Sequence, residues 1–441
     1  MRAPRPVRVA LLSLLLSSPL AAQNAMLVPP DALTLDEAMR WAWQRGVAAS
    51  VARLNTDVAD ARVGQRRADL LPQVNGDVDW SRQTLNLDEF GIPIATGVTE
   101  PFNLYHLRLT GSQTVVNLAA ITRVKSASDS SVAARFDAQS TGSNAAALAG
   151  VAYVRVLGLA ETIRAREADS AIAADLLTQA HQLADAGISA AIDVTRNEVN
   201  LAAVRTQLVI TRAQHARARL DLARALSIPP EAPIALADSL GQEDSRLPTS
   251  QDSAVAFAKD HRPEVLAEQR RTEAVRLSRR AIGQENLPSA GIAGQVQESG
   301  QATNGLSGTW ALQVGVSIPI FDGLRRQKRR DEVSARYDAQ KLREYDITQQ
   351  VDAEARQVVL DLTAAREELH VAVQRLRLAE LELKQADERV TAGVAGSVET
   401  TNAQRNLVGA RDALIQARVS LDIARVNSYR ALGIIVPANG P

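Results

Sequence analysis

The sequence predicts a mainly α-helical protein with a smaller β part: long antiparallel coiled-coil helices and four β-strands. Three observations predict this fold: an internal duplication, a seven-residue apolar repeat, and four segments in which apolar and polar residues alternate. Aromatic residues make up only 3% of the 441 residues, which is typical of long helices that pack through small side chains. The chain has no cysteine, so disulfides and thiolate metal sites are excluded.

The duplication is clearest in two matching segments. Residues 186–201 match residues 392–407 at an offset of 206, which brings Asp193 onto Glu399. Such a repeat lets a few subunits build a symmetric object of many units. The predicted division is a signal peptide at 1–22, a first repeat at 30–228, a proline-rich linker at 229–250, a second repeat at 251–436 and a tail at 437–441.

The first 22 residues predict export of the chain. A basic flank precedes the short apolar run Val9–Leu16, and Ala21-Ala22 offers a small-residue cleavage site. The apolar run is about half the length that spans a bilayer. No later segment approaches 18 unbroken apolar residues, so we expect no transmembrane helix in the exported chain and any membrane crossing to use strands.

Four segments alternate between apolar and polar residues, as strands with two different faces do. They are Val74–Thr84, Leu104–Val116, Gly291–Glu298 and Trp310–Ile320, with a Gly/Ser/Asn-rich loop at 298–308. This pattern fits either a half-buried sheet or a lipid-facing barrel. Four strands are too few to close a barrel, because the smallest have about eight. Strands that cross a membrane would therefore form a barrel shared between subunits.

The helical segments are unusually long. We expect helices at 253–284, Asp322–Thr391 and Ser397–Leu432, with Leu and Ala alternating along a heptad repeat that holds two helix axes close together. At 1.5 Å per residue the second would measure ~105 Å and the third ~54 Å. Helices of such length suit a stalk or a tube rather than a compact domain.

Together these features resemble the TolC-like outer-membrane efflux proteins. The resemblance rests on the repeat, Leu-Pro pairs before the strands at 71–72 and 287–288, the segment SIPIFDG at 317–323, an acid six residues after each tip glycine, and Arg-Ala-Leu-Gly at 430–433. It implies a homotrimer whose twelve strands form one outer-membrane β-barrel and whose helices form a periplasmic α-barrel. It also implies a passive exit duct that docks onto a periplasmic adaptor and an inner-membrane RND or ABC transporter.

Two other classes stay open at this point. A structural coiled-coil stalk would explain the heptads but not the strands, and a periplasmic adaptor usually has one hairpin rather than two. The five scattered histidines have no metal-ligand spacing, and no catalytic motif appears. We therefore expect no catalytic residue, no metal and no cofactor. Because the exported chain is slightly acidic, we also expect no nucleic-acid partner.

The resemblance implies that acids near the tips ring the narrow periplasmic mouth and favour cations. The candidates are Glu399 and Asp193, with Asn402 where relatives often carry a second acid. An acid in the first turn of a helix is also favoured by the helix dipole, which is the simpler explanation. An arginine that helps close the mouth in relatives is here Ala395.

Two further groups are predicted as contact surfaces. The tips would meet the adaptor, with Ser189 and Ser397 as helix N-caps; the tip residues are Gly187, Ile188, Ser189, Gly393, Val394, Ala395, Gly396 and Ser397. A basic run after the fourth strand would meet anionic lipid headgroups, or else form a solvated helix face; it consists of Arg325, Arg326, Lys328, Arg329 and Arg330.

Overall fold

The structure is a computed structural model that describes residues 32–90, 97–187, 190–242, 244–245, 247–301, 305–392, 394 and 396–434. The predicted signal peptide and the tail lie outside these residues. The helices are α1 (Leu35–Arg45), α2 (Val47–Ala68), α3 (Leu118–Asp185), α4 (Ala191–Leu226), α5 (Gln251–His261), α6 (Pro263–Gln284), α7 (Arg325–Thr391) and α8 (Ser397–Leu432). The strands are β1 (Gln73–Gln83), β2 (Phe102–Val116), β3 (Ser289–Gln301) and β4 (Gly305–Ser317).

The strands and the helices beside them form one continuous layer. The sheet is antiparallel with the order β1-β2-β3-β4. Along the chain α2 leads into β1, β2 into α3, α6 into β3 and β4 into α7. The four helices contact each other in the same order, α2 with α3, α3 with α6, and α6 with α7. Each strand therefore continues into one helix, and the layer is one element thick.

The two faces of the sheet differ in polarity. Across the register Trp80 lies opposite Tyr105, and Val296 lies opposite Trp310. The same face carries Val78, Leu107, Leu109, Leu312 and Val314, all exposed in the single chain. The opposite face is polar: Arg108 Nε donates to Gln297 Oε1 at 3.0 Å. This arrangement confirms the predicted alternation.

The long helices pack through the predicted Leu/Ala pattern. Leu414 packs with Ala372 and Ala417, and Leu407 packs with Ala379. These contacts join α7 to α8 as an antiparallel pair, and α3 pairs with α4 in the same way. Helices α3 and α7 have 68 and 67 residues, which corresponds to ~100 Å each.

The predicted helix at 253–284 is wrong in one respect, because it is broken into α5 and α6. Pro263 begins α6, where its missing N–H costs nothing, and Arg262 before it has an extended backbone. In the first repeat α1 and α2 are separated at Gly46 in the same manner.

The break is fixed by a buried arginine. Arg262 is 3% exposed and donates to Glu264 at 3.1 Å and to Glu354 of α7 at 2.5 Å. Burial raises the pKa of both carboxyl groups, but the hydrogen bonds and charge of Arg262 outweigh it and hold both pKa values below their usual range. The ion pairs therefore tie the joint between α5 and α6 to the long helix beside it.

Strand β4 and the loop before it also differ from the prediction. The strand ends at Ser317 rather than at Ile320, because Pro319 has no N–H to donate to a ladder. The predicted loop at 298–308 is shorter, since pairing continues to Gln301 opposite Gly305. Helix α7 begins at Arg325 rather than at Asp322, because Gly323 and Leu324 have φ of 67° and 66°, outside the helical range.

One helix has a stretch that could cross a membrane by length and composition alone. An 18-residue window in α3 has a mean hydropathy of 1.5, and half of that window is buried within the protein. A core helix has the same character, and α3 packs against five other helices. The window is therefore weak evidence for a transmembrane helix.

Candidate aperture and docking tips

The two helical hairpins end in short tips. In the first, α3 ends at Asp185, Gly187 turns the chain with a φ of 73°, and α4 begins after Ala190. In the second, α7 ends at Thr391 and Gly396 precedes α8. The N-caps are Ala190 and Gly396, so the prediction that serines cap both helices is wrong. Ile188, Ser189, Gly393 and Ala395 lie outside the described residues.

Each predicted aperture acid has an arginine partner in its own hairpin. Glu399 Oε1 accepts a hydrogen bond from Arg389 Nε at 2.9 Å, across the second tip. Asp193 accepts from Arg196 at 3.2 Å, three residues along α4. Both partners are roughly half exposed, so these pairs are screened by solvent. Asn402 is exposed on α8.

The two repeats place the compensating arginine differently. At the offset of 206, Arg389 corresponds to Leu183, and Arg196 corresponds to Asn402. The first tip therefore has its arginine on the returning helix, and the second has it on the outgoing helix. Neither arginine is among the residues predicted from the sequence.

Above the tips a buried ionic cluster joins the two hairpins. Asp169 of α3 is 1% exposed and accepts from Arg411 of α8 at 2.6 Å and from Arg166 at 3.3 Å. Arg166 also donates to Asp412 of α8 at 2.6 Å. Because a buried charge is costly unless it is paired, these contacts fix α3 against α8 in one register.

The basic run divides into two groups. Arg326 donates to Asp322 at 2.7 Å, and Arg329 pairs with Glu285 of α6. The other three are exposed, and Lys328 lies 3.3 Å from Asp331; they are Arg325, Lys328 and Arg330. Two of the five residues therefore fasten the junction between sheet and helices.

The sequence matches the family described as outer membrane efflux protein over residues 44–227 and 255–434. The chain belongs to the outer membrane efflux protein family. Outer membrane efflux protein BepC of Brucella suis biovar 1 (strain 1330) is 26% identical over 414 residues, covering 91% of this chain and 85% of BepC. The pyoverdine export outer membrane protein OpmQ of Pseudomonas aeruginosa is 25% identical over 395 residues, covering 87% of this chain and 81% of OpmQ.

Solved structures show the same fold. The outer-membrane channel OprN has a TM-score of 0.79 at 20% identity, covering 90% of this chain and 89% of that one. The outer membrane protein VceC of Vibrio cholerae has a TM-score of 0.78 at 16% identity, covering 90% and 96%. This family member is thus an outer-membrane exit duct with a large periplasmic helical part. The comparisons give no support to the stalk or the adaptor.

Proposed function

We propose that three copies of this efflux protein assemble into one tube, with twelve strands in an outer-membrane β-barrel and the helices in a periplasmic α-barrel. The observation that carries this proposal is the single layer with open edges. Strands β1 and β4 end the sheet, and a strand edge cannot face lipid unpaired. A monomeric mass for the detergent-solubilised protein, measured by light scattering, would contradict it.

Apolar stripes along both outer helices support this assembly. Four apolar side chains of α2 are exposed on the side opposite the face that packs on α3, and they follow one another at spacings of four, three and four residues. They are Val47, Val51, Leu54 and Val58. On α7 Leu342 and Tyr345 are exposed away from α6. In a closed tube the α2 stripe of one subunit would cover the α7 stripe of the next.

The division into two repeats joined by residues 229–250 is part of the same proposal. The two family matches fall on either side of residues 228–254, which supports it.

We propose no catalytic activity, no cofactor and no nucleic-acid partner, since a passive duct needs none of them. Proteins of this family belong to tripartite pumps, which implies an adaptor and an inner-membrane transporter as partners.

We place the docking surface for the adaptor at the tips. Val394 is 69% exposed, and the tip glycines Gly187 and Gly396 are exposed as well. Because the chain has no cysteine, a single Val394→Cys variant can carry a cross-linker without other changes. We expect it to cross-link to the adaptor in cells. A Val209→Cys variant, 67% exposed on α4, is the matched control and should not. Equal cross-linking at both positions would contradict docking at the tips.

We propose that Glu399 and Asp193 contribute the negative charge of the periplasmic mouth, and that the arginine paired with each acid partly neutralises it. Arg389→Gln should release the charge of Glu399 and raise the cation selectivity of single channels in planar bilayers, because an unpaired acid attracts cations more strongly. Glu399→Gln should lower that selectivity, and Arg405→Gln on the exposed side of α8 should leave it unchanged. Selectivity that does not respond to either change at the pair would remove Glu399 from the mouth.

The exposed part of the basic run is proposed as a band for lipid headgroups. Arg325, Lys328 and Arg330 lie in the first two turns of α7 and are exposed, and none of them forms the ion pairs that hold the junction. Each such charge contributes roughly 1 kcal/mol at an anionic surface. If a variant with all three changed to Gln bound phosphatidylglycerol vesicles as strongly as the parent, the band would be excluded.

A further inference from the structure

A cleft of about 740 Å³ lies below the sheet, between α2, α3, α6 and α7. These four helices lie side by side in one layer. A cleft that is lined by all four must open on the concave face of that layer. In the proposed tube, on which this inference rests, the concave face is the inner wall.

The charges in the cleft are mostly positive. Four arginines and two glutamates line it, which leaves a net charge of +2; they are Arg62, Arg66, Arg123, Arg329, Glu285 and Glu332. Three copies around one axis would give a ring of +6. A ring of one sign between low-dielectric walls concentrates ions of the other sign.

The two glutamates of the cleft leave some N–H donors of its arginines without a hydrogen-bond partner. Glu285 is shared by Arg123 and Arg329, and the Nε of Arg329 is buried without a hydrogen-bond partner. Glu332 lies 2.6 Å from Arg336, which does not line the cleft.

The two arginines of α2, Arg62 and Arg66, have the fewest interactions with other side chains among the four arginines of the cleft. Arg66 lies 3.8 Å from Asp69, with both side chains more than half exposed. Within the part of the chain that the structure describes, the side chain of Arg62 forms no hydrogen bond or ion pair. Their guanidinium groups are thus available to a ligand.

We propose that this cleft is an anion-binding station on the inner wall of the duct, for a phosphate or carboxylate group of a passing molecule. A guanidinium group matches the geometry of both anions with two parallel hydrogen bonds. The station lies at the sheet end of the helices, far from the acids at the mouth. An anionic molecule that passes the mouth would therefore meet favourable charge before it enters the sheet region.

The test uses the absence of cysteine in the parent chain. Gln65→Cys places a thiol in the cleft, and Gln44→Cys places one on the exposed end of α1. Each purified trimer is reacted with two methanethiosulfonates, one bearing a sulfonate and one a trimethylammonium group. We expect the rate ratio of anionic to cationic reagent to be about tenfold higher at Gln65→Cys. Inorganic phosphate should slow modification there and not at Gln44→Cys.

Second substitutions in the Gln65→Cys chain show which charge is responsible. Arg62→Gln should lower the rate ratio and abolish protection by phosphate. Arg205→Gln, which removes one positive charge on the exposed side of α4 outside the cleft, should change neither. Modification of Gln65→Cys should also alter the single-channel current, since the thiol would line the lumen.

Three results would overturn the proposal. Equal rate ratios at the two cysteines would show that the cleft has no positive potential. A raised ratio without protection by phosphate would show a diffuse field and no binding site. Protection by phosphatidylglycerol vesicles but not by free phosphate would show a lipid headgroup site on the outside. If the purified protein were not trimeric, the proposed trimeric tube would be wrong, whereas the three results above would contradict only the anion site. The two outcomes can therefore be distinguished.

Discussion

Leu312→Arg should abolish assembly of the duct in the outer membrane. Leu312 lies in the middle of β4 on the apolar face of the sheet, between Trp310 and Val314. An arginine at the bilayer midplane on the lipid face of a barrel costs about 2–4 kcal/mol per copy. In the proposed trimer three copies would carry the change, so the total penalty would be comparable to the stability of an ordinary protein.

The neighbouring residue provides the matched control. Gln313 lies one position along the same strand and faces the polar side. Gln313→Arg should assemble normally, because a charge on that side remains in water. The measurement is the amount of heat-modifiable trimer in purified outer membranes. If both variants assembled equally well, the apolar face would not be the lipid face.

Leu54→Lys should prevent the trimer from forming while leaving the fold of each subunit intact. Leu54 is 63% exposed in the single chain and lies in the middle of the apolar stripe of α2. Burying a lysine against a neighbouring apolar stripe removes its hydration without providing a partner. Within the subunit Leu54 faces away from α3, so the packing of α2 on α3 does not depend on it.

Asp57→Lys tests whether the position or the new charge matters. Asp57 is exposed on the same helix, one turn away and to one side of the stripe. This variant should remain trimeric by light scattering, whereas Leu54→Lys should give monomers with an unchanged circular dichroism spectrum. Trimers in both variants would place the subunit contact elsewhere.

The long elements could be predicted because their signals repeat many times. Helix α8 has the predicted bounds, Ser397–Leu432, since both the tip and the terminal glycine mark its ends. The breaks at Gly46 and Arg262 could not be predicted in this way. A proline in the first turn of a helix does not interrupt the apolar periodicity. The apolar pattern therefore continues across the joint, although the helical backbone is broken there.

The acids of the tips were predicted, but their electrostatic surroundings were not. The pair Asp193 and Arg196 has a spacing of three residues, at which side chains on a helix meet, so it could have been found. The pair Arg389 and Glu399 is separated by ten residues across a turn. Only the geometry of the turn brings the two together, and residue types alone do not encode it.

The open edges of the sheet also determine the order of events in biogenesis. A lone subunit has unpaired N–H and C=O groups along β1 and β4, and each costs several kcal/mol in hydrocarbon. A single copy therefore cannot enter the bilayer first and find its partners later. In the proposed trimer, insertion and oligomerisation would therefore be one step, whose rate rises steeply with the concentration of free subunits. Until that step, exposed edges invite aggregation, so we expect free subunits to aggregate unless another protein covers these edges.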